Sequence, residues 1–243
     1  MYTSGTNGDP KGVVLTHENA TTNINGVDLF MEQFEDKMTE DDVYLSFLPL
    51  AHILDRMIEE YFFRKGASVG FFHGDINALR DDMMELKPTF LAGVPRVLER
   101  IYEGHRNLAV VGCKLRWLKA GYKQKDASPF ADMLAFSKIK NKLGGRIRLI
   151  VSGGAPLSPE VEEFLRVTSC AFVLQGYELT ETCGLATVAF PDEMCMVGTV
   201  GSPFVYTELR LEEVLDMGYD PLAYPPRGEI CVRGKAPFAG CYT

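Results

Sequence analysis

The segment with the clearest chemical potential lies at the start of the chain, where residues 2–12 read YTSGTNGDPKG. Its three glycines permit tight turns that bring backbone N–H groups close to an anion. Thr3, Ser4 and Thr6 add hydroxyl donors, and Lys11 adds a mobile positive charge that suits phosphate oxygens. The spacing matches neither GxxxxGK[ST] nor GxGxxG. The segment therefore predicts a phosphate loop of another type, although its composition alone is equally typical of a flexible linker.

Two further segments have residue types suited to a nucleotide. Residues 175–182 read QGYELTET, and residues 151–158 read VSGGAPLS. A carboxylate such as that of Glu181 is a hard oxygen ligand, which Mg²⁺ prefers when it bridges nucleotide phosphates. Small residues after a strand let a flat base lie against the backbone. Taken alone, Tyr177 is equally typical of a core aromatic residue, and Glu181 of a surface charge.

A third group of candidates lies on apolar segments. His52 belongs to LPLAHILDR over residues 48–56, and residues 93–102 read GVPRVLERIY. A histidine in such surroundings is a candidate catalytic group, and it is equally typical of a hydrogen-bonded core histidine.

The elements that would position these residues alternate between strand and helix. Alternation of this kind favours an α/β fold, with parallel or mixed sheets flanked by helices. Thr16, Gly66 and Ser158 are expected to cap helices. The predicted strands are 13–15, 43–47, 67–72, 89–92, 146–151, 171–174, 208–211 and 229–232. The predicted helices are 18–34, 53–65, 76–87, a helix from 96, most of 105–143, and 159–166. Glycines and prolines after residue 197 predict a short antiparallel β piece at the C-terminal end.

Composition narrows the class of protein. The 243 residues have a formal net charge of −8, which argues against a non-specific nucleic-acid binder. Hydrophobic residues make up 46% and charged residues 24%, as in packed globular chains rather than disordered ones. No apolar run approaches the roughly 18 residues that a membrane-spanning helix needs. No secretory signal is visible after Met1.

The first segment strongly resembles the phosphate loop of the adenylate-forming superfamily, which includes acyl-CoA synthetases, luciferases and peptide-synthetase adenylation domains. The family pattern is approximately YTSGTTGxPKG, so Asn7 is a departure that keeps a polar side chain. The resemblance implies that the nucleotide is bound by residues Thr3, Ser4, Gly5, Thr6, Asn7, Gly8, Lys11 and Gly12.

Residues 175–182 resemble the family motif QGYGLTET. The resemblance implies that Tyr177 packs on the adenine, that Thr180 contacts the nucleotide, and that Glu181 ligates Mg²⁺ together with Thr3. Glu178 replaces a usual glycine, so its carboxylate is expected to repel phosphates or to cost backbone freedom. Further nucleotide-binding residues implied by the family are Gly154, Ala155, Pro156, Gln175 and Gly176.

Residues 48–56 and 93–102 resemble long-chain fatty acyl-CoA synthetases more than the activators of amino acids or aryl acids. Residues 192–220 resemble the eukaryotic, plant-type branch. The resemblance implies an acyl tunnel near Gly93, Val94 and Pro95, with His52 beside the acyl and adenylate site. The implied catalytic residues are Lys11, His52, Thr180 and Glu181.

The implied reaction converts a long-chain fatty acid and ATP to acyl-AMP and then, with CoA, to acyl-CoA, with Mg²⁺ as cofactor. The resemblance also implies an intracellular enzyme at the cytoplasmic face of the endoplasmic reticulum membrane or in the peroxisome. Any peripheral membrane association is expected to use segments outside this chain, and no nucleic-acid partner is expected.

The resemblance covers the whole chain but only part of the family's length. Residues 1–243 are expected to be an incomplete adenylate-forming N-terminal domain, with an α/β part over 1–200 and a β-rich piece over 201–243. The resemblance implies that the family's small C-terminal catalytic domain is not part of these residues, so the fragment alone is expected to be inactive. Two alternatives stay open: a non-catalytic remnant that at most binds nucleotide, and another acyl- or aryl-adenylating enzyme.

Overall fold

The computed structural model describes residues 1–4, 9–34, 37–103, 137–190 and 194–242. The strands of these ranges are β1 (Tyr2–Thr3), β2 (Lys11–Val14), β3 (Val43–Ser46), β4 (Ser68–Phe71), β5 (Phe90–Gly93), β6 (Leu149–Ser152), β7 (Phe172–Leu179), β8 (Gly184–Val188), β9 (Ser202–Pro203), β10 (Thr207–Glu212), β11 (Glu229–Gly234) and β12 (Gly240–Tyr242). The helices are α1 (His17–Met31), α2 (Ile53–Lys65), α3 (Leu79–Leu86), α4 (Pro95–Glu103), α5 (Ser137–Lys142) and α6 (Pro159–Ser169). No helix in these ranges has the length and apolar character needed to cross a bilayer.

The main sheet has seven strands in the order β4-β3-β5-β6-β7-β8-β9. Its first five strands are parallel, and β8 and β9 continue it in antiparallel pairing. Two smaller antiparallel sheets are formed by β1-β2-β12 and by the hairpin of β10 and β11. The α/β fold and the antiparallel C-terminal piece predicted from the sequence are confirmed. The proposed division at residue 200 stays a prediction.

Period-two alternation along the strands builds a core on each face of the main sheet. On one face, Leu91 and Ile150 pack with buried residues of α3, α4, α5 and α6. On the other face, Phe90 and Leu149 pack with buried residues of α1 and α2. The parallel strands are therefore covered on both sides, which is why their sequences are almost continuously apolar.

The predicted helix caps are confirmed. Thr16 Oγ1 accepts a hydrogen bond from the Asn19 N–H at 3.2 Å, and Ser158 Oγ accepts one from the Val161 N–H at 3.3 Å. The helix that begins at Ile53 ends at Gly66, whose φ of 69° is left-handed.

Several predicted elements have other bounds in the structure. α1 ends at Met31 rather than at residue 34, α6 continues to Ser169 rather than ending at residue 166, and the strand predicted at 13–15 is β2, Lys11–Val14. α3 begins at Leu79 rather than at residue 76, because residues 75–77 form a turn in which Asp75 Oδ1 accepts from the Asn77 N–H at 2.9 Å. β7 continues to Leu179 instead of ending at residue 174, because β8 pairs with its second half. β6 begins at Leu149 rather than at residue 146. Most of the predicted helical stretch 105–143 lies outside the described residues.

Candidate active site

The carboxyl ends of the parallel strands bring several predicted site residues to one edge of the main sheet. His52 follows β3, Gly93 ends β5, Gly154 follows β6, and Tyr177 lies in the second half of β7. β3, β5, β6 and β7 are consecutive neighbours in the sheet. In open α/β sheets, ligands bind at this edge, so the strand order places these residues around a single crevice.

The predicted phosphate loop is the connection of a β-hairpin. β1 and β2 pair antiparallel with Thr3 opposite Lys11, so both residues flank the loop. Lys11 is exposed and Thr3 is half-buried. Gly5, Thr6, Asn7 and Gly8 lie outside the described residues.

Gly12 has a packing role in the same hairpin. It pairs with Tyr2 in β1 and with Tyr242 in β12. A Cβ atom at Gly12 would lie 3.1 Å from the Tyr242 Cβ, so a larger residue would push the two strands apart. The structure therefore gives Gly12 a reason to be glycine that is independent of any nucleotide.

A small apolar cluster holds the hairpin against the main sheet. It consists of Ile53, Met57 and Cys183, with Met1, Leu15 and Ala20 packed on them. Ile53 follows His52, Cys183 follows the turn of Glu181, and Met1 and Leu15 flank the hairpin. The cluster therefore joins the three predicted motifs, which are far apart in sequence.

Backbone hydrogen bonds reinforce this junction. The Phe238 N–H donates to the Glu181 carbonyl at 2.7 Å, and the Ala239 N–H donates to the Val14 carbonyl at 2.9 Å. Residues 238–239 thus bridge the Glu181 turn and the strand that contains Lys11.

The loop predicted to bind the adenine is held by a hydrogen bond to a residue in the protein interior. Gln175 is 2% exposed, and its Oε1 accepts a hydrogen bond from the Leu157 N–H at 2.5 Å. Its Nε2 donates to the Thr199 carbonyl at 3.3 Å. Gln175 therefore supports the loop from the protein side, whereas Gly154, with a φ of 80°, is exposed together with Ala155 and Pro156.

Two predicted glycines, Gly154 and Gly176, lie where neighbouring segments of this edge pack closely together. A Cβ atom at Gly154 would lie 3.6 Å from Val94 Cγ1, so the β5 and β6 loops are in contact. Gly93 and Pro95 on either side of Val94 are buried. A Cβ atom at Gly176 would lie 2.6 Å from Leu185 Cδ2, so β7 needs glycine there to pair closely with β8.

Thr182 orders the turn of Glu181, a role that sequence reasoning missed. Its Oγ1 accepts from the Leu179 N–H at 3.1 Å and donates to the Gly184 carbonyl at 2.6 Å. The turn between these residues presents Thr180 and Glu181, both half-buried. The sequence signal for such a hydrogen bond is a threonine two or three residues away from the backbone groups of a turn.

His52 caps α2 at its N-terminus. Its Nδ1 accepts a hydrogen bond from the Leu54 N–H at 3.3 Å, which leaves the proton of the neutral ring on Nε2. The residue is exposed rather than part of the core. The structure thus leaves His52 accessible at the crevice and gives it a local structural role as well.

Asp55, a buried acid three residues after His52 in the first turn of α2, was not identified from the sequence. Asp55 is fully buried and accepts hydrogen bonds from the Tyr44 hydroxyl and, at 3.0 Å, from Ser46 Oγ. Burial raises the pKa of Asp55, and these two hydrogen bonds offset only part of the rise. Its helical neighbour Glu59 is also buried, so α2 turns two acids toward the sheet.

Glu178 also differs from its expected environment. Its carboxyl group lies beside Gly153 and lines an apolar cavity of about 80 Å³ between the sheet, α1 and α2. Burial raises the pKa of this carboxyl to about 7. A bulge places Tyr177 opposite Thr187 but Glu178 opposite Leu185, which changes the side-chain directions at this point of β7.

The described residues contain no group of three or more His, Cys, Asp or Glu side chains arranged to hold a metal ion. This is compatible with Mg²⁺, which is usually held by one or two carboxylates together with the phosphates of a substrate. Glu181 has a half-buried carboxylate at its turn, and Thr3 lies in the hairpin, and their roles as metal ligands stay predictions.

Comparison with known proteins decides the family. The sequence model of the AMP-binding enzyme family matches residues 1–242. The chain belongs to the AMP-binding enzyme family. Among curated relatives of this AMP-binding enzyme chain, long chain acyl-CoA synthetase 1 of Arabidopsis thaliana is 66% identical over 255 aligned residues, covering 100% of this chain. Fatty acyl-CoA synthetase B of Dictyostelium discoideum is 40% identical and also covers 100% of this chain.

Solved structures of AMP-binding enzymes have the same fold. An o-succinylbenzoate CoA synthetase of Bacillus subtilis, in complex with its acyl-adenylate intermediate, superposes with a TM-score of 0.70 at 24% identity, covering 99% of this chain and 41% of that chain. A long-chain-fatty-acid–CoA ligase of Archaeoglobus fulgidus superposes with a TM-score of 0.68 at 21% identity, covering 99% and 42%.

The AMP-binding enzyme chain is shorter than its relatives. It spans 39% of the length of the Arabidopsis synthetase and 37% of that of the Dictyostelium enzyme. The activity of the whole protein is therefore a matter for proposal.

Proposed function

We propose that this chain forms part of a longer enzyme that activates a long-chain fatty acid with ATP and transfers the acyl group to CoA. The observation that carries the proposal is the junction of three motifs at one sheet edge. The phosphate hairpin, the Glu181 turn and His52 meet through the cluster around Ile53 and Cys183. The 66% identity to an Arabidopsis long chain acyl-CoA synthetase supports the choice of acid.

The proposed reaction has two steps. An oxygen of the fatty carboxylate attacks the α-phosphorus of ATP, and pyrophosphate leaves with the electron pair of the broken P–O bond. The sulfur of CoA then attacks the acyl carbon of acyl-AMP, the thiol loses its proton, and AMP leaves. Both steps depend on reactants held in line and on charge developing on phosphate or carbonyl oxygens.

The residues of this chain have distinct proposed roles. The Lys11 ammonium, exposed at the hairpin, binds phosphate oxygens and offsets the charge that forms there. Tyr177, half-buried on β7, packs on the adenine, and the exposed loop of Gly154 lies along it. Mg²⁺, held by Glu181 and Thr3, would supply further charge neutralisation on the phosphates.

His52 is proposed to position the acid at the crevice. Its Nδ1 is occupied by the Leu54 N–H, so the Nε2–H is the donor available to a carboxylate or carbonyl oxygen. The buried Asp55 carboxyl, three residues further along α2, lies close enough for the two groups to interact electrostatically. This arrangement holds the histidine at the N-terminus of a helix, where negative charge on a substrate is stabilised.

The experiment that tests this proposal is ATP–pyrophosphate exchange in the complete protein that contains this chain, with palmitate as the acid. Glu181→Gln should lower the exchange rate by about a hundredfold or more, because it removes a metal ligand from the transition state. The same substitution should leave the dissociation constant for palmitate unchanged, because Glu181 is not among the residues that line the apolar cavity.

Glu160→Gln is the matched control, since Glu160 is an exposed residue of α6. It should exchange at the wild-type rate. Unchanged exchange in Glu181→Gln would contradict the metal assignment. Wild-type protein that binds ATP but shows no exchange with palmitate or any other carboxylic acid would identify a non-catalytic nucleotide-binding protein instead.

A further inference from the structure

The apolar cavity beside Glu178 follows the parallel strands of the main sheet. Its lining runs from Phe90 and Leu149 near the amino ends of β5 and β6 to Leu54 and Glu178 near the carboxyl ends. On β6 the lining residues are Leu149 and Val151, two residues apart, a span of about 7 Å. Glu178 lies beyond them, beside Gly153, so the Glu178 end of the cavity is the end nearest to the candidate active site.

Glu178 is an unusual group to find in such a lining. Both carboxyl oxygens are buried, and neither has a hydrogen-bond partner among the described residues. Natural structures satisfy nearly all buried polar atoms, so an exception needs an explanation. A methionine or leucine would fill the same space without loss of hydration, because the neighbouring Leu54 and Leu185 side chains are apolar.

No countercharge accompanies this carboxyl within the part of the chain that the structure describes. Burial alone raises its pKa to about 7, with no contribution from a charged neighbour. The other ionisable side chain in the cavity lining is Tyr61, whose pKa burial raises to above its ordinary value. At neutral pH a large share of Glu178 is therefore a neutral acid, which can both accept and donate a hydrogen bond.

A second polar atom lies in the same cavity without a partner. Asn23 is 2% exposed, lines the cavity and has an unpartnered Nδ2. Asn23 lies close to Gly184, since a Cβ atom there would be 3.2 Å from the Asn23 amide. The third polar side chain of the lining is Tyr61, in the last two turns of α2, whereas Asn23 and Glu178 lie beside Gly184 and Gly153. A lining that is apolar apart from these groups indicates a ligand that is apolar over most of its length, with a polar group near Asn23 and Glu178.

We propose that Glu178 makes this cavity selective for fatty acids that carry a hydroxyl group close to the carboxyl end, namely 2-hydroxy or 3-hydroxy acids. The inference rests on the proposed function. The hydroxyl donates to a Glu178 oxygen, so that each group satisfies the other. An unsubstituted chain leaves both oxygens unpaired, and sites built to hydrogen-bond a hydroxyl discriminate against analogues that lack it.

The position of the hydroxyl follows from the position of Glu178. Its carboxyl lies against Gly153, where a Cβ atom would be 2.8 Å from Oε1, and Gly153 opens the predicted adenine loop. Along β7, Glu178 lies between Tyr177 and the turn of Thr180. The acid that reacts with the nucleotide must have its carboxyl end at this edge, so Glu178 meets the first carbons of the chain.

The test is equilibrium binding, measured without ATP by displacement of a fluorescent fatty acid from the complete protein. The four competitors are hexadecanoate and its 2-hydroxy, 3-hydroxy and 16-hydroxy derivatives. Wild-type protein should bind the 2-hydroxy or 3-hydroxy acid about tenfold more tightly than hexadecanoate. Glu178→Met should abolish that preference, whereas Glu178→Gln, which keeps a donor and an acceptor, should retain much of it.

Glu160→Gln serves as the control, and circular dichroism establishes that each variant is folded. Equal binding of all four acids by wild-type protein would overturn the inference, as would a preference that survives in Glu178→Met. A Glu178-dependent gain confined to the 16-hydroxy acid would overturn it too, because it would place the carboxyl at the far end of the chain. ATP–pyrophosphate exchange measured in parallel reports on the proposed function separately, since binding here requires no turnover.

Discussion

At the residue scale, the Glu178 carboxyl makes the free energy of unfolding depend on pH, because it is buried in the cavity lining. In the unfolded chain its carboxyl titrates near the ordinary value of 4.5, and in the folded chain near 7. Between these values the folded state holds a proton that the unfolded state releases, so the free energy of unfolding falls as pH rises. The loss of unfolding free energy caused by ionising the buried Glu178 is complete above pH 7 and absent below pH 4.5.

Glu178→Gln should remove this dependence. Between pH 4.5 and 7, the variant should lose less stability than wild type, with a difference on the order of 3 kcal/mol across the interval. Urea denaturation at several pH values measures it, with Glu160→Gln as the control for an exposed acid. Parallel stability curves for wild type and Glu178→Gln would show that the carboxyl is solvated rather than buried.

The sequence points to candidate site residues where they belong to a contiguous motif, and their roles stay predictions. Thr3, Lys11 and Glu181 lie in segments whose order is informative by itself, and the structure brings those segments together. The sequence does not identify Thr182 or Asp55 as contributors to the site. The hydrogen bonds of Thr182 depend on a turn, and those of Asp55 depend on a neighbouring strand. For the same reason, the apolar surroundings of Glu178 could not be inferred from its place in a polar motif.

At the scale of elements, an ion pair between the buried Asp42 and the half-buried Arg148 joins the amino ends of three strands. Asp42, just before β3, accepts hydrogen bonds from Thr89 Oγ1 at 2.6 Å and from Arg148 Nη2 at 2.6 Å. Thr89 precedes β5 and Arg148 precedes β6. Burial raises the pKa of Asp42, but the hydrogen bonds from Arg148 and Thr89 outweigh it and hold the pKa below 3.8.

Asp42→Ala should destabilise the fold by about 2 kcal/mol, because it removes the carboxylate that accepts hydrogen bonds from both Arg148 and Thr89. In wild type, the stabilisation from Asp42 is present above pH 3.8 and is lost as pH falls through the lower folded value. Thermal and urea denaturation compare the variant with Asp41→Ala, whose side chain is exposed. A loss no greater than that of Asp41→Ala would mean that the pair contributes little.

Local signals predict some elements better than others. α1, α2 and α6 were predicted from caps and spacing, because a helix forms its hydrogen bonds within one segment. β7 was predicted too short, because its second half depends on pairing with β8. The pairing of β12 with β2 has no local signal, since it joins the two ends of the described chain.

At the scale of the whole molecule, the motifs predicted to bind the nucleotide meet because of chain topology. β12 returns to β2, with Gly240 opposite Val14, and the preceding residues bridge to the Glu181 turn. Asn19 Nδ2 strengthens the junction by donating to the carbonyls of Lys235 at 3.1 Å and Pro237 at 2.9 Å. The α/β class could be predicted from the alternation of strands and helices, whereas the pairing of β12 with β2 follows only from tertiary packing.

The central claim is that a fatty carboxylate attacks the α-phosphorus of ATP at this site. The most direct measurement supplies the complete protein with palmitate labelled with oxygen-18 in its carboxyl group, together with ATP, Mg²⁺ and CoA. Mass spectrometry then follows the label in the products. The account predicts AMP with a single labelled oxygen, unlabelled pyrophosphate, and a thioester that retains the other label. Unlabelled AMP, or ADP and phosphate as the nucleotide products, would contradict it.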